Sequence, residues 1–299
     1  MKLLERVAIN DQAWNDCIDA SQTSLVYAYS WYLDEIAPKW KGLVIEKNGK
    51  YLACFPVPWN KKWGITYVYP PFFAQQLGLF SSDSNYNIDL FLKFLRKEFS
   101  FIELYLNHTN QGRNLQVKDN QILRLNKPYE ELYRDYRNNH QRNLKKHINK
   151  VRIEESGEVK AIVSLFKHDR GKSVKTLKAS HFLAFENTCL ALKNKGKLLV
   201  LSAFDKNNIL VTGGIFIVHQ NRITFIFSGN STKGKKYTSL FILLDFVIKK
   251  YANSGYVLDF EGSSNPGIRR FYRGFGAGDE QYFFKKINNL PFPLNLFKK

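Results

Sequence analysis

The chain has 299 residues, 44% hydrophobic and 15% aromatic, which excludes a disordered polymer and exceeds what one core usually serves, so two domains are expected. Its net charge is +19, and the excess is lopsided: residues 1–126 carry 14 basic and 12 acidic side chains (+2), residues 127–299 carry 31 and 14 (+17). Such a field draws polyanions, whether nucleic acid, an anionic membrane surface or a phosphate-bearing cofactor, while scattered lysines for solubility are the plainer reading. The opening MKLLERVAINDQ lacks the apolar stretch of a signal peptide, and LFILLDFVIKK is too short, and too interrupted by Asp245, to span a bilayer. A soluble, cytoplasmic protein is expected. Cys17, Cys54 and Cys189 are scattered and odd in number, so buried free thiols are expected, without a disulfide framework or a metal site.

In chain order, TSLVYAYSWYLDEIA has aromatic and apolar residues at helical spacing. GLVIEKNGKYLACFPV is a hairpin around Asn48-Gly49, and WGITYVYPPFF is a strand stopped by Pro70-Pro71. YNIDLFLKFLRKEF is an amphipathic helix with Ile88, Phe91, Leu92 and Leu95 on one face, followed by the strand FIELYLN. A basic helix comes next, over PYEELYRDYRNNHQRNLKKHINKV, with Pro128 suited to its first turn. Arg137, Arg142 and Lys145 on it form either a solvated face or a rim for an anionic substrate. SHFLAFENTCLAL is helical, and its His181 is expected to be structural. KLLVLSAFDKNNILVTGGIFIVHQ is a hairpin around Asn207-Asn208, and the strand RITFIFSGN follows. SLFILLDFVIKKYANSG is a helix closed by Gly255, and YVLDFEG is the strand after it. Hairpin, strand, helix, strand thus occurs twice, which suggests two similarly folded domains.

No Walker loop, dinucleotide fingerprint or serine elbow is present. The chemistry concentrates after residue 225. Phe227, Ser228 and Gly229 end a strand, and backbone amides there could bind a donor or polarise its carbonyl. Lys233, Gly234, Lys235 and Lys236 precede a long helix, where amides and ammonium groups could take phosphates; a solvated turn has the same composition. Alternation puts Asp259 and Glu261 on one face of the next strand. Asp259 reads as a turn cap or an arginine partner. Glu261 reads either the same way or as a general base for an amine.

These segments resemble the GNAT N-acyltransferase superfamily. IRRFYRGFGA looks like that family's closing helix, whose tyrosine protonates the departing thiolate, which makes Tyr272 the candidate acid. SLVYAYSWYLDEI with YVYPPFF, the basic stretch YEELYRDYRNNHQRNLKKHINK and LDFEGSSNPGIRRFYRGFGA together resemble the double-GNAT, Fem-type branch. The resemblance implies an α/β (α+β) fold of two tandem GNAT-like domains, each a mixed, mostly antiparallel sheet flanked by helices. Residues 1–126 would be the degenerate domain, and 127–299 the domain with the basic entry helix and donor site. It further implies transfer of an acyl group from a coenzyme A thioester to an amine. Two alternatives stand beside this: a Fem-type transferase using aminoacyl-tRNA, and a non-catalytic RNA- or anion-binding protein on a transferase scaffold. Two departures bear on the choice. The cofactor loop keeps one glycine, Gly234, with Lys236 at its closing small-residue position. Tyr272 stands where Fem peptidyltransferases carry lysine, which favours a thioester over tRNA.

Overall fold

The computed structural model describes residues 1–155, 157–169, 176–262 and 265–298. The chain divides into two units, residues 1–118 with 281–299, and residues 119–280. The first unit opens with β1 (Lys2–Glu5), α1 (Asp11–Asp19) and α2 (Ser30–Ile36). The hairpin of β2 (Trp40–Lys47) and β3 (Lys50–Lys62) follows, turned by Asn48 and Gly49 at φ 53° and 76°, the positive pair that a primed turn needs. Then come β4 (Ile65–Val68), the short β5 (Phe80–Ser81), α3 (Ile88–Glu98) and β6 (Phe101–Leu106). β1, β2, β3 and β4 pair antiparallel in series, and β4 runs parallel to β6. Helix α3 starts where the Asn87 side chain accepts the Asp89 N–H at 2.8 Å. Its predicted face, Ile88, Phe91, Leu92 and Leu95, is buried, and Phe91 stacks on Phe55 of β3. Each such side chain contributes about 1.5–3 kcal/mol by leaving water.

Strand β7 (Gln116–Arg124) carries the chain into the second unit. The single basic helix expected from the sequence is two helices, α4 (Tyr129–Arg134) and α5 (Asn138–His147). The break has a physical cause: the Arg137 N–H leaves the helical ladder and donates to Gly274 O at 2.9 Å, with Arg137 extended at ψ 146°. After β8 (Val151–Glu154) come α6 (Val159–Asp169) and α7 (Ala179–Asn194), then β9 (Leu198–Asp205), β10 (Leu210–His219) and β11 (Arg222–Asn230). A short helix α8 (Thr232–Lys236) precedes α9 (Ser239–Tyr251), β12 (Val257–Asp259) and α10 (Pro266–Arg273). Strands β8, β9, β10 and β11 are antiparallel neighbours, β12 lies parallel to β11, and β7 pairs antiparallel with β12. Under this sheet, Ile242, Leu243, Val247 and Ile248 of α9 are buried with Phe216, Leu258 and Phe275.

The last strand, β13 (Gly278–Asn288), begins in the second unit, and its later residues pair antiparallel with β6 in the first. The units therefore differ from the expected 1–126 and 127–299. Residues 119–126 go with the second unit, because β7 pairs with β12 there. The end of the chain goes with the first, because Phe283–Asn288 add a strand beside Phe101–Leu106. Cys17, Cys54 and Cys189 are free and buried. No described helix is long and apolar enough to cross a membrane.

Candidate functional site

The site grows from the way β11 outruns β12. Strand β12 pairs with Arg222, Ile223 and Thr224, then ends at Asp259. Strand β11 continues to Asn230, held on its other side by β10, with one extra residue at Ile226 where the register shifts. Beyond the parting lies a cleft of about 550 Å³. Ser228 and Asn230 of β11 line it with Phe166 of α6, Phe241 of α9 and Phe271 and Tyr272 of α10. Helix α10 is placed by its cap: Asn265 Oδ1 accepts the Gly267 and Ile268 N–H groups at 2.9 and 3.3 Å, and Pro266 opens the first turn.

Tyr272 therefore stands on the cleft wall, its ring stacked on Phe260 at 4.6 Å. Glu261 is not among the lining residues. The strand stops two residues before it, because Asp259 Oδ1 turns back to accept the Glu261 N–H at 2.8 Å, and Glu261 takes a φ of +50°. The expected alternation thus ends at Asp259. Part of the loop read from the sequence, Ser263 and Ser264, lies outside the described residues.

Asp259 is a structural acid, but its arginine is one that sequence reasoning missed. Arg222 donates to it at 2.5 Å and to Glu280 at 2.9 Å, and Asn120 donates to it at 2.8 Å. Both partners sit below a fifth exposed, where removing one charge strands the other. Arg269 and Arg273 pair instead with Asp279, and Arg269 also with Asp119. A lone arginine starting a strand carries no signal of such a partner.

Among the residues expected to hold a donor, Ser228 lines the cleft, but Phe227 packs its ring against Phe166 and Phe185, each 4.9 Å away. At Gly229 a Cβ would sit 2.3 Å from Ile162 O, so α6 lies directly on that face. The Lys233–Lys236 loop is the helix α8, capped by Ser231 Oγ, which accepts the Gly234 N–H at 3.0 Å. Gly234 is required by packing: a Cβ there would meet Val211 O at 2.3 Å and Thr212 Oγ1 at 2.4 Å. Lys233 is ion-paired with buried Asp205, whose pKa the Lys233 ammonium lowers together with the Ile209 and Asn207 N–H groups. Lys235 pairs with Asp169 and also lines the cleft, while Lys236 is exposed. Lys233 and Lys235 meet carboxylates first, so a phosphate would have to displace those.

A second helix start lies a few residues later. Thr238, at φ +48°, begins α9 without a side-chain cap. The hydroxyls of Thr238 and Ser239 are buried and find no hydrogen-bond partner among the described residues. Two unsatisfied hydroxyls at the positive end of a 13-residue helix fit an anionic group such as a phosphate. Thr238 lines the cleft. The glycine and lysines of α8 carry the stronger local signal for a phosphate, whereas Thr238 and Ser239 carry none in the sequence.

Arg142 and Lys145 line, with Lys146, Asn138 and Gln141, a separate open concavity of about 470 Å³ on α5. Arg137 is the N-cap residue of that helix and is not part of the lining. Behind the basic face, His140 is buried among Phe241, Phe271 and Phe275. Its Nε2 donates to Phe271 O at 2.9 Å. Burial lowers its pKa, the Phe271 carbonyl opposing and Arg137 adding to the lowering. Among the described residues, no group of three or more His, Cys, Asp or Glu could hold a metal.

No family model matches the sequence, and no curated protein matches it. Solved structures do. FemX superposes with a TM-score of 0.66 at 11% identity over 99% of both chains. A tandem GNAT protein from the clavulanic acid biosynthesis pathway gives 0.56 at 11% identity, over 97% of this chain and 99% of that one. The fold is GNAT-like, in its Fem variant. L-PGS from Bacillus licheniformis gives 0.52 at 10% identity over 96% of this chain and 95% of that one. At this identity the likeness is one of fold.

Proposed function

We propose that the chain is an N-acyltransferase that moves an acyl group from a coenzyme A thioester to an amine. The observation that carries this reading is the cleft where β12 ends and β11 continues, with Tyr272 on one wall and Thr238, at the start of α9, on another. The thioester supplies an activated carbonyl and a thiolate leaving group. Thr238, Ser239 and the start of α9 would bind the donor's phosphates. Backbone along Phe227, Ser228 and Gly229 would orient its pantetheine arm or polarise its carbonyl. As the amine nitrogen bonds to that carbon and the carbon–sulfur bond breaks, Tyr272 would protonate the sulfur. Glu261 would take the amine proton through water. The two-domain, cytoplasmic transferase expected from the sequence belongs to the same reading.

The α5 concavity favours a second reading, in which Arg142 and Lys145 hold an anionic part of donor or acceptor, aminoacyl-tRNA included. A thermal-shift screen of acyl-coenzyme A compounds beside a tRNA separates the readings. Specific donor binding at a hundredfold excess over Kd stabilises by about 2.7 kcal/mol, whereas tRNA binding would weaken steeply with salt. Stabilisation by neither would sink both. In the acylation assay, Tyr272→Phe should lower kcat about 10²-fold or more with an unchanged melting temperature. An unaffected rate removes Tyr272 from the chemistry, and the same comparison with Glu261→Gln judges the base.

A further inference from the structure

We infer that the first unit carries a docking surface for an anionic phospholipid bilayer, made by the tip of the β3–β4 hairpin and the turn that follows β13. The two segments enclose an apolar groove of about 530 Å³, lined by Ile65, Tyr67, Phe101, Leu290 and Leu294 with Lys62 and Trp63. Large apolar side chains stand out beside it: Trp63 is 78% exposed, Phe292 79% and Leu296 50%. The C-terminal turn is tied down rather than splayed. Asn288 Nδ2 donates to Asn295 O at 2.9 Å, and the Leu296 N–H donates to Pro293 O at 3.0 Å.

Trp63 is the telling residue. It occupies the first central position of a two-residue turn, at φ 51°, with Gly64 following at φ 78°. The β2–β3 hairpin uses asparagine at that place, Asn48 at φ 53°. A bulky aromatic is disfavoured in the left-handed region, and here no burial offsets the strain. Folding alone would favour asparagine or glycine. An exposed, strained aromatic at a tip points to a role outside the fold.

The charge around it selects the occupant. Residues 59–72 and 281–296 hold four lysines, Lys61, Lys62, Lys285 and Lys286, and no acid. Lys286 is neutralised by Glu103, and Lys285 donates to backbone carbonyls of Arg113 and Asn114. The charge available at the tip is therefore that of Lys61 and Lys62, with the Lys62 ammonium 4.5 Å from the Trp63 ring. Tryptophan and lysine side by side suit a lipid interface, where the ring sits at headgroup depth and the ammonium meets phosphate. A second copy of the chain suits it less: two such tips would bring lysines together in a protein already at +19.

The test uses flotation of the full chain with vesicles of phosphatidylcholine, alone or mixed with phosphatidylglycerol, and quenching of tryptophan emission by brominated lipid. Trp63→Asn should leave the fold at least as stable, since asparagine suits the turn. It should weaken binding to the mixed vesicles on the order of tenfold and abolish the quenching. Phe292→Ser should weaken binding in the same direction. Undiminished flotation of both variants without quenching would assign the binding to the basic second unit and overturn the proposal. So would absence of flotation, or a concentration-dependent dimer in sedimentation that Trp63→Asn dissolves.

Discussion

Asp279 shows how a single carboxylate can be made the focus of a surface. Burial opposes its ionisation, yet hydrogen bonds from Arg273, Arg269 and Gln121 hold its pKa down at about 2. A carboxylate depressed in the folded state stabilises the fold fully above its unfolded pKa near 3.9 and loses that contribution as pH falls through the folded value. The window is thus roughly pH 4 down to about 2. Asp279→Asn should reduce stability at neutral pH by about 1 kcal/mol or less, since the site is partly solvent-screened. It should also flatten the loss between pH 4 and 2. Urea midpoints measured across that range decide the matter, and parallel curves for the two proteins would contradict the assignment. The same scale explains why the ion pairs were illegible. Lys233 with Asp205, Arg222 with Asp259 and Arg269 with Asp119 join residues far apart in the chain, and nothing local to either partner announces the other.

At the level of elements, α10 and α5 are joined by contact too close for any side chain. A Cβ at Gly274 would fall 1.9 Å from Cε1 and 2.3 Å from Nε2 of His140, whose ring is already boxed in by three phenylalanines. Gly274→Ala should therefore cost about 1–3 kcal/mol. His140→Ala in the same chain should recover part of it, a coupling that a double-mutant cycle measures directly; strictly additive losses would deny the contact. Elements with strong local chemistry were legible: both asparagine hairpins, the apolar face of α3, and α9. The failures came where tertiary contact overrode local pattern. The period through residues 129–151 reads as one helix, but Gly274 O captures the Arg137 N–H and splits it. The apolar alternation of YVLDFEG runs to Glu261, but the Asp259 side chain ends the strand early. Of the candidate residues, Tyr272 and Ser228 line the cleft, whereas Lys233 and Lys235 of α8 are paired with carboxylates. The uncapped hydroxyls of α9 have no signature in the sequence, since serine and threonine before a helix ordinarily read as caps.

For the whole molecule, the decisive fact is that the first unit is discontinuous in sequence. Strand β13 supplies it with a neighbour for β6, and Phe283 and Ile287 pack against its core. Cutting the chain after Glu280 should therefore unfold the first unit, or reduce it to a molten state, while leaving the strands of the second intact. All five tryptophans, Trp14, Trp31, Trp40, Trp59 and Trp63, belong to the first unit. Their emission reports on it alone, and a red shift with substantial far-ultraviolet dichroism retained is the expected result. Native-like emission from the truncated chain would show that β13 is dispensable.

The same thread governs how the protein is made. Residues 1–118 leave the ribosome before the second unit, yet β6 has no partner in β13 until residues 283–288 follow that unit out of the exit tunnel. The inserted second unit has all its strands in hand before then. The half synthesised first is thus the half completed last. During translation, the open flank of β6 is the surface that a chaperone would need to shield.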